Sequence, residues 1–161
     1  MLGRGVEAMK LISMWEPWAS LLATGAKKIE TRGWSTLYRG HVAIHATKGG
    51  LTKLDLKETC AESFFAEALR SAPPFSPGHI IAVGTLLDCR PLDEHHVNNV
   101  FRIHPGLETP QELAFGNYGP EWFGLVFEDV KLLRNPVPFK SRQGKLLDLD
   151  AATERAVEAA L

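Results

Sequence analysis

Residues 11 to 48 read LISMWEPWASLLATGAKKIETRGWSTLYRGHVAIHATK and hold three of the four tryptophans in the chain. The apolar run Leu11 to Met14 suits a strand, and Pro17 stands where a helix can begin without leaving an N–H unused. Helical spacing over Pro17 to Thr24 puts Trp18, Leu21 and Leu22 on one face. Gly25 follows, where a left-handed cap is easiest for glycine, so the chain can turn at once into a charged strand, Lys27 to Gly33. In a regular strand Lys28, Glu30 and Arg32 share a face and Lys27 points the other way. Lys27 and Glu30 therefore meet only across a bulge, or if Lys27 still belongs to the turn. Gly40 to Thr47 alternates, with Val42, Ile44 and Ala46 predicted for the core and His41, Ala43, His45 and Thr47 for the opposite face.

Outward from that stretch, Leu51 to Arg70 carries Ala61, Phe64, Phe65, Ala68 and Leu69 on one stripe and predicts a single amphipathic helix ended by Pro73-Pro74. His79 to Leu87 is nearly all apolar, as in a central strand. Cys89 to Pro120 is the longest irregular segment, with one short helix expected around Glu94 to Phe101. Trp122 to Val130 reads as a strand. Pro136 and Pro138 restrict residues 135–139 to an edge or an extended crossing, and Asp150 can cap a final helix, Ala151 to Leu161. Five or six strands without regular βαβ alternation predict a mainly β, α+β architecture: a small mixed β-barrel with peripheral helices.

Gly25, Lys27, Glu30 and Arg32 spell GxKxxExR, and with its flanks SMWEPWASLL and RGWSTLYRGHVAIHATK this segment resembles the activating signal cointegrator homology (ASCH) domain family. FGNYGPEWFGLVFEDVKLLRNPVPFKSRQG is similar to the closing part of larger bacterial members. The resemblance implies a PUA-like barrel with GxKxxExR lining a cleft, and relatives that mostly handle RNA or modified bases; the domain is expected over residues 9–149, after a flexible lead-in of 1–8 without apolar periodicity and before the terminal helix of 150–161. It also implies an alternative, since one compact member is an amidohydrolase on an acetylated nucleoside and another a ribonuclease. The amidohydrolase's catalytic Lys matches Lys27, but its Thr falls at Glu30. Relatives usually have Asp where Asn117 stands and Arg where Trp122 stands.

Length and composition agree with one domain of 161 residues, 45% of them hydrophobic. No apolar run approaches the ~20 residues of a membrane span, and the first eight residues lack a signal peptide's apolar centre, so the expected location is cytoplasmic. Cys60 and Cys89 lack metal-ligand spacing, so neither a disulfide nor a zinc site is expected, and no cofactor or metal is implied. Net charge is −1, yet residues 10–48 carry +4 and residues 131–145 carry +5, leaving −10 for the remainder. Phosphate binding needs such local basic surface more than a basic protein. The expected partner is RNA, another single-stranded nucleic acid, or a nucleoside or nucleotide. The candidate ligand-binding residues are Lys27, Glu30, Arg32, Trp18, Trp34, Arg39, His45, Asn117 and Tyr118, with Lys27 and Glu30 catalytic only if the protein is an enzyme. Lys27 and Arg32 would donate to phosphate or carbonyl oxygens, Glu30 would accept from a base amino group, and Trp18, Trp34 and Tyr118 would stack.

Overall fold

The computed structural model describes residues 7–140, 142 and 144–161. Most of the expected lead-in, and Ser141 and Gln143 of the closing motif, lie outside them. Six strands, β1 (Lys10–Met14), β2 (Ile29–Arg32), β3 (Gly40–Ala46), β4 (His79–Pro91), β5 (Phe123–Pro138) and β6 (Leu147–Asp148), form one sheet in the order β2-β5-β4-β3-β1-β6. β1 and β3 are parallel and the other neighbours antiparallel. Against β5, β4 shifts register between Ile80 and Ala82, Val83 and Thr85, and Leu86 and Asp88. Each irregularity adds bend and twist, and together they curl the sheet into a half-barrel with peripheral helices, as the sequence predicts.

Both faces of the sheet are covered. On one, Ile12, Met14, Val42, Ile44, Leu86 and Phe127 pack against Ala19 and Leu22 of α1 (Trp18–Ala23). On the other, Leu11, Ala43, Ile80, Val83 and Leu133 are closed off by Val157 of α6 (Ala151–Ala159), whose first turn is capped by Asp150 through the Thr153 N–H at 2.8 Å. The polar face expected for Ala43 and His45 is therefore a second core. Alternation of Ala and His gave no hint of it, because the covering groups come from distant Leu133, Phe139 and Val157.

Three further expectations change. The single helix over residues 51–70 is two, α2 (Lys53–Ala61) and α3 (Ser63–Leu69), separated by Glu62 in an extended conformation. α2 buries nothing, whereas the break lets Phe65 of α3 set its ring edgewise on Trp18 and on Phe115. The irregular segment holds α4 (Val100–Ile103), a 3-10 turn at Pro105–Leu107 and α5 (Pro110–Phe115). Residues 135–138 continue β5 rather than forming a separate element. They tolerate Pro136 and Pro138 because β2 pairs only with Phe123–Val126, so this end of β5 is ladder-bonded on one side alone. Cys60 and Cys89 are both free.

Candidate functional site

The motif is built by the turn that follows α1. Gly25 has φ +80°, the left-handed conformation expected of it, and the Lys27 N–H returns to the Leu21 carbonyl at 3.0 Å. Lys27 thus precedes β2 and escapes its alternation. Its side chain folds back under the strand, where the ammonium donates to the Ile29 carbonyl and lies 3.6 Å from Glu30 Oε1. With 1% of its surface exposed, Lys27 is among the most deeply buried side chains of the chain. The expected ligand-binding Lys27 thus lies beneath Glu30 rather than on the open surface, and its charge is tolerated because a carbonyl and a carboxylate face it.

Glu30 continues upward. Its Oε1 accepts the Thr31 N–H at 2.8 Å, and Oε2 lies 3.6 Å from the Arg32 guanidinium. Arg32 is steadied by the Ser13 carbonyl at 2.8 Å and by the Trp34 ring, 6.0 Å from its centroid. These side chains open onto a cleft of about 600 Å³ whose lining includes Ser13, Trp15, Trp18, Glu30, Arg32, Asn117 and Trp122. Ligand sites commonly enclose ~300–1,000 Å³. Three indoles stand around one carboxylate and one guanidinium.

The structure brings Trp18, Glu30, Arg32 and Asn117 to this cleft and leaves the other candidates elsewhere. Trp34 touches Arg32 but, with Arg39, lines a separate hollow that includes Lys10, Tyr38 and Lys145. His45 is buried on the far side of β1, bonded through Nδ1 to Ser13 Oγ at 2.8 Å, and burial pushes its pKa down. Tyr118 stacks on Phe101 below the cleft with ring centroids 5.4 Å apart. Burial, then the nearby carboxylates of Glu112 and Glu30, hold its phenol well above the usual range.

Three residues escaped the sequence reading. Trp15 and Trp122 line the cleft, and Trp15 is 52% exposed, an unusual state for an indole. Glu112 is buried in α5 and accepts the Lys28 N–H at 3.1 Å and the Ile29 N–H at 2.8 Å, so the long segment braces the motif. Its signal was legible: Thr109-Pro110-Gln111-Glu112 is a capping pattern, and Thr109 Oγ does accept the Glu112 N–H at 3.1 Å. Asn117 is fixed beyond it by its N–H on Thr31 Oγ1 at 3.0 Å.

The sequence profile of the ASCH domain matches residues 12–134, well over half of the chain, including every residue of the cleft. The chain belongs to the ASCH domain family. A crystal structure of ASCH from Zymomonas mobilis superposes with a TM-score of 0.55 at 16% identity, covering 96% of this chain and 95% of that one. A mutant of the same protein gives 0.56 at 14% identity, covering 96% and 98%. At such identities the likeness is one of fold. A 36-residue segment is 53% identical to activating signal cointegrator 1 of Mus musculus, which amounts to 22% of this chain and 6% of the mouse protein.

A second charged centre in this ASCH domain lies on β4. Asp88 Oδ2 accepts from Arg90 Nε and His104 Nε2, each at 2.8 Å, while Oδ1 accepts the Cys89 N–H at 2.9 Å and faces Arg39 at 3.3 Å. Burial alone would raise its pKa, but the hydrogen bonds from Arg90, His104 and Cys89 outweigh it and hold the carboxyl at about 2, against an ordinary 3.8. A depressed carboxyl contributes stability above its unfolded value and loses it as pH falls through the folded one. Urea midpoints of the parent should therefore decline between pH ~4 and ~2, while Asp88→Asn lacks that decline and is about 1–3 kcal/mol less stable near neutrality. Identical pH profiles would show that the cluster contributes nothing. Among the described residues no helix is long and apolar enough to cross a membrane, and no group of three or more His, Cys, Asp and Glu is placed to hold a metal.

Proposed function

We propose that the cleft takes up a single unpaired base, of RNA or of a free nucleotide, between its indole walls. The observation that carries this reading is the arrangement of Trp15, Trp18 and Trp122 around the Glu30–Arg32 pair. Flat apolar walls suit a base's faces, and an acceptor beside a fork of donors suits its edge. ASCH domains are generally thought to bind RNA, which agrees. In this reading Trp18 stacks, Glu30 accepts from an amino group, and Arg32 donates to a ring or phosphate oxygen.

The test is a titration of tryptophan fluorescence with nucleosides, nucleotides and short single-stranded RNA. Stacking is worth ~1–3 kcal/mol per base, so Trp18→Ala should weaken binding by about tenfold or more, and Glu30→Gln should reorder the preference among bases. Saturable binding unaffected by Trp18→Ala would refute the assignment. Hydrolysis of a modified nucleoside or of RNA, with Lys27 and Glu30 as the reacting groups, is the weaker reading, because the Lys27 ammonium is turned onto the Ile29 carbonyl beneath the cleft. Turnover of an acylated nucleoside that disappears in Glu30→Gln would favour it.

A further inference from the structure

A groove of about 560 Å³ opens across the end of β3, the start of β4 and the end of β5, and its lining includes Lys48, Gly78, His79, Phe139 and Lys140 but no carboxylate. Lys27, Arg32, Lys10, Arg39 and Arg90 are all engaged with acids. Lys48 and Lys140, in contrast, are exposed and in no ion pair among the described residues. Arg142 adds a third cation over the Phe139 ring, 6.0 Å from its centroid.

The groove is built rather than incidental. Gly78 has φ +79°, and a Cβ there would lie 2.7 Å from Lys48 Cε, so the lysine stem lies flat across bare backbone. That backbone is itself pinned, its N–H on the Ala46 carbonyl at 2.7 Å and its carbonyl on the Phe139 N–H at 3.0 Å. The Lys48 stem is thereby held against the groove wall while its ammonium remains open to solvent.

Two contacts join groove to cleft. Ser13 lines the cleft and bonds through its hydroxyl to His45, whose ring lines the groove. Trp15 lines the cleft and packs on Gly50, where a Cβ would come within 3.3 Å of the indole, next to Gly49 of the groove. The two recesses thus lie on either side of β1 and meet around its end, at Trp15 and Gly50.

We propose that this groove holds the phosphodiester backbone of a single strand of RNA whose neighbouring base occupies the cleft, with Lys48 and Lys140 as the phosphate-binding charges. A compact ammonium on a flexible stem suits phosphate oxygens without demanding one geometry. The assignment rests on the reading of the cleft as a base site and adds to it a directional path for the strand: from the indole cage, past Trp15, into the basic groove.

The experiment is fluorescence anisotropy with a labelled single-stranded RNA of about ten nucleotides, titrated between ~50 and ~200 mM salt, alongside fluorescence titration with a mononucleoside. The proteins are the parent, Lys48→Glu, Lys140→Glu, the double variant, and Arg155→Glu on the exposed side of α6 as a charge control. Each single-strand phosphate contact contributes ~0.7 to the slope of log affinity against log salt. The double variant should lose at least about tenfold in RNA affinity at low salt and flatten that slope by ~1 or more, with mononucleoside binding unchanged and Arg155→Glu like the parent. RNA binding by the double variant with the parent's affinity and slope would overturn the groove assignment and leave the base site standing. Mononucleoside binding without any gain on lengthening to RNA would do the same. Failure of the parent to bind either probe would overturn both.

Discussion

Lys27→Ala should unfold at a far lower denaturant concentration than the parent, losing about 3–5 kcal/mol, the cost typical of removing one partner from a buried pair. The Lys27 ammonium satisfies the Ile29 carbonyl and faces Glu30, and its stem fills space with 1% of the residue exposed. Truncation leaves an unpaired carbonyl, an unsupported carboxylate and a void, and each is separately destabilising. Lys27→Met keeps the stem and removes only the charge, so it should fall between the two. The double variant Lys27→Met with Glu30→Gln should recover part of the loss, because neither charge is then left alone. Guanidinium denaturation of the four proteins checks this. A Lys27→Ala protein within about 1 kcal/mol of the parent would mean that the pair is not what supports the motif.

Glu112→Ala should cost nearly as much, about 2–4 kcal/mol, without touching the GxKxxExR residues themselves. It strips the acceptor from the Lys28 and Ile29 N–H groups, and an orphaned buried donor costs roughly 1–3 kcal/mol. Because that carboxylate positions the start of β2, ligand binding in the cleft should weaken together with stability. Its pH signature is opposite to that of Asp88. Burial pushes the Glu112 pKa above its ordinary 4.5, and the hydrogen bonds from Ile29 and Lys28 and the charge of Lys27 only partly offset this. A raised carboxyl favours the folded state below its unfolded value and loses that contribution as pH rises through the folded one, so this share of stability falls above pH ~4.5. Glu112→Gln should remove that slope. Urea titrations across pH separate the two groups, since the Asp88 window lies below 4 and the Glu112 window above it.

Local chemistry made part of this protein legible from its sequence. Gly25 after α1, Asp150 before α6 and the apolar run of β4 each follow from a residue and its immediate neighbours. Pattern alone does not decide whether Lys27 belongs to strand or turn, because alternation applies only once a strand has begun, and the hydrogen bond from its N–H to Leu21 keeps it outside. Tertiary cover was not legible. His45 and Ala43 are buried by groups about ninety residues away or more, and nothing in Gly40 to Thr47 encodes that. The same limit separated Trp34, Arg39 and Tyr118 from the cleft and admitted Trp15 and Trp122. Which side of a curled sheet an aromatic faces depends on register shifts in β4 and β5 that side-chain patterning does not reveal.

The outer margin of β2 has a further consequence, for association between molecules. β2 ends the sheet, pairing with β5 on one side only, and such a margin ordinarily offers free amides to any extended peptide. Here carboxylates occupy the positions a foreign strand would use. Glu112 takes the amides of Lys28 and Ile29, Glu30 takes that of Thr31, and Thr31 Oγ1 draws Asn117 across the same side. This margin of the sheet is therefore closed to strand addition by the protein's own side chains.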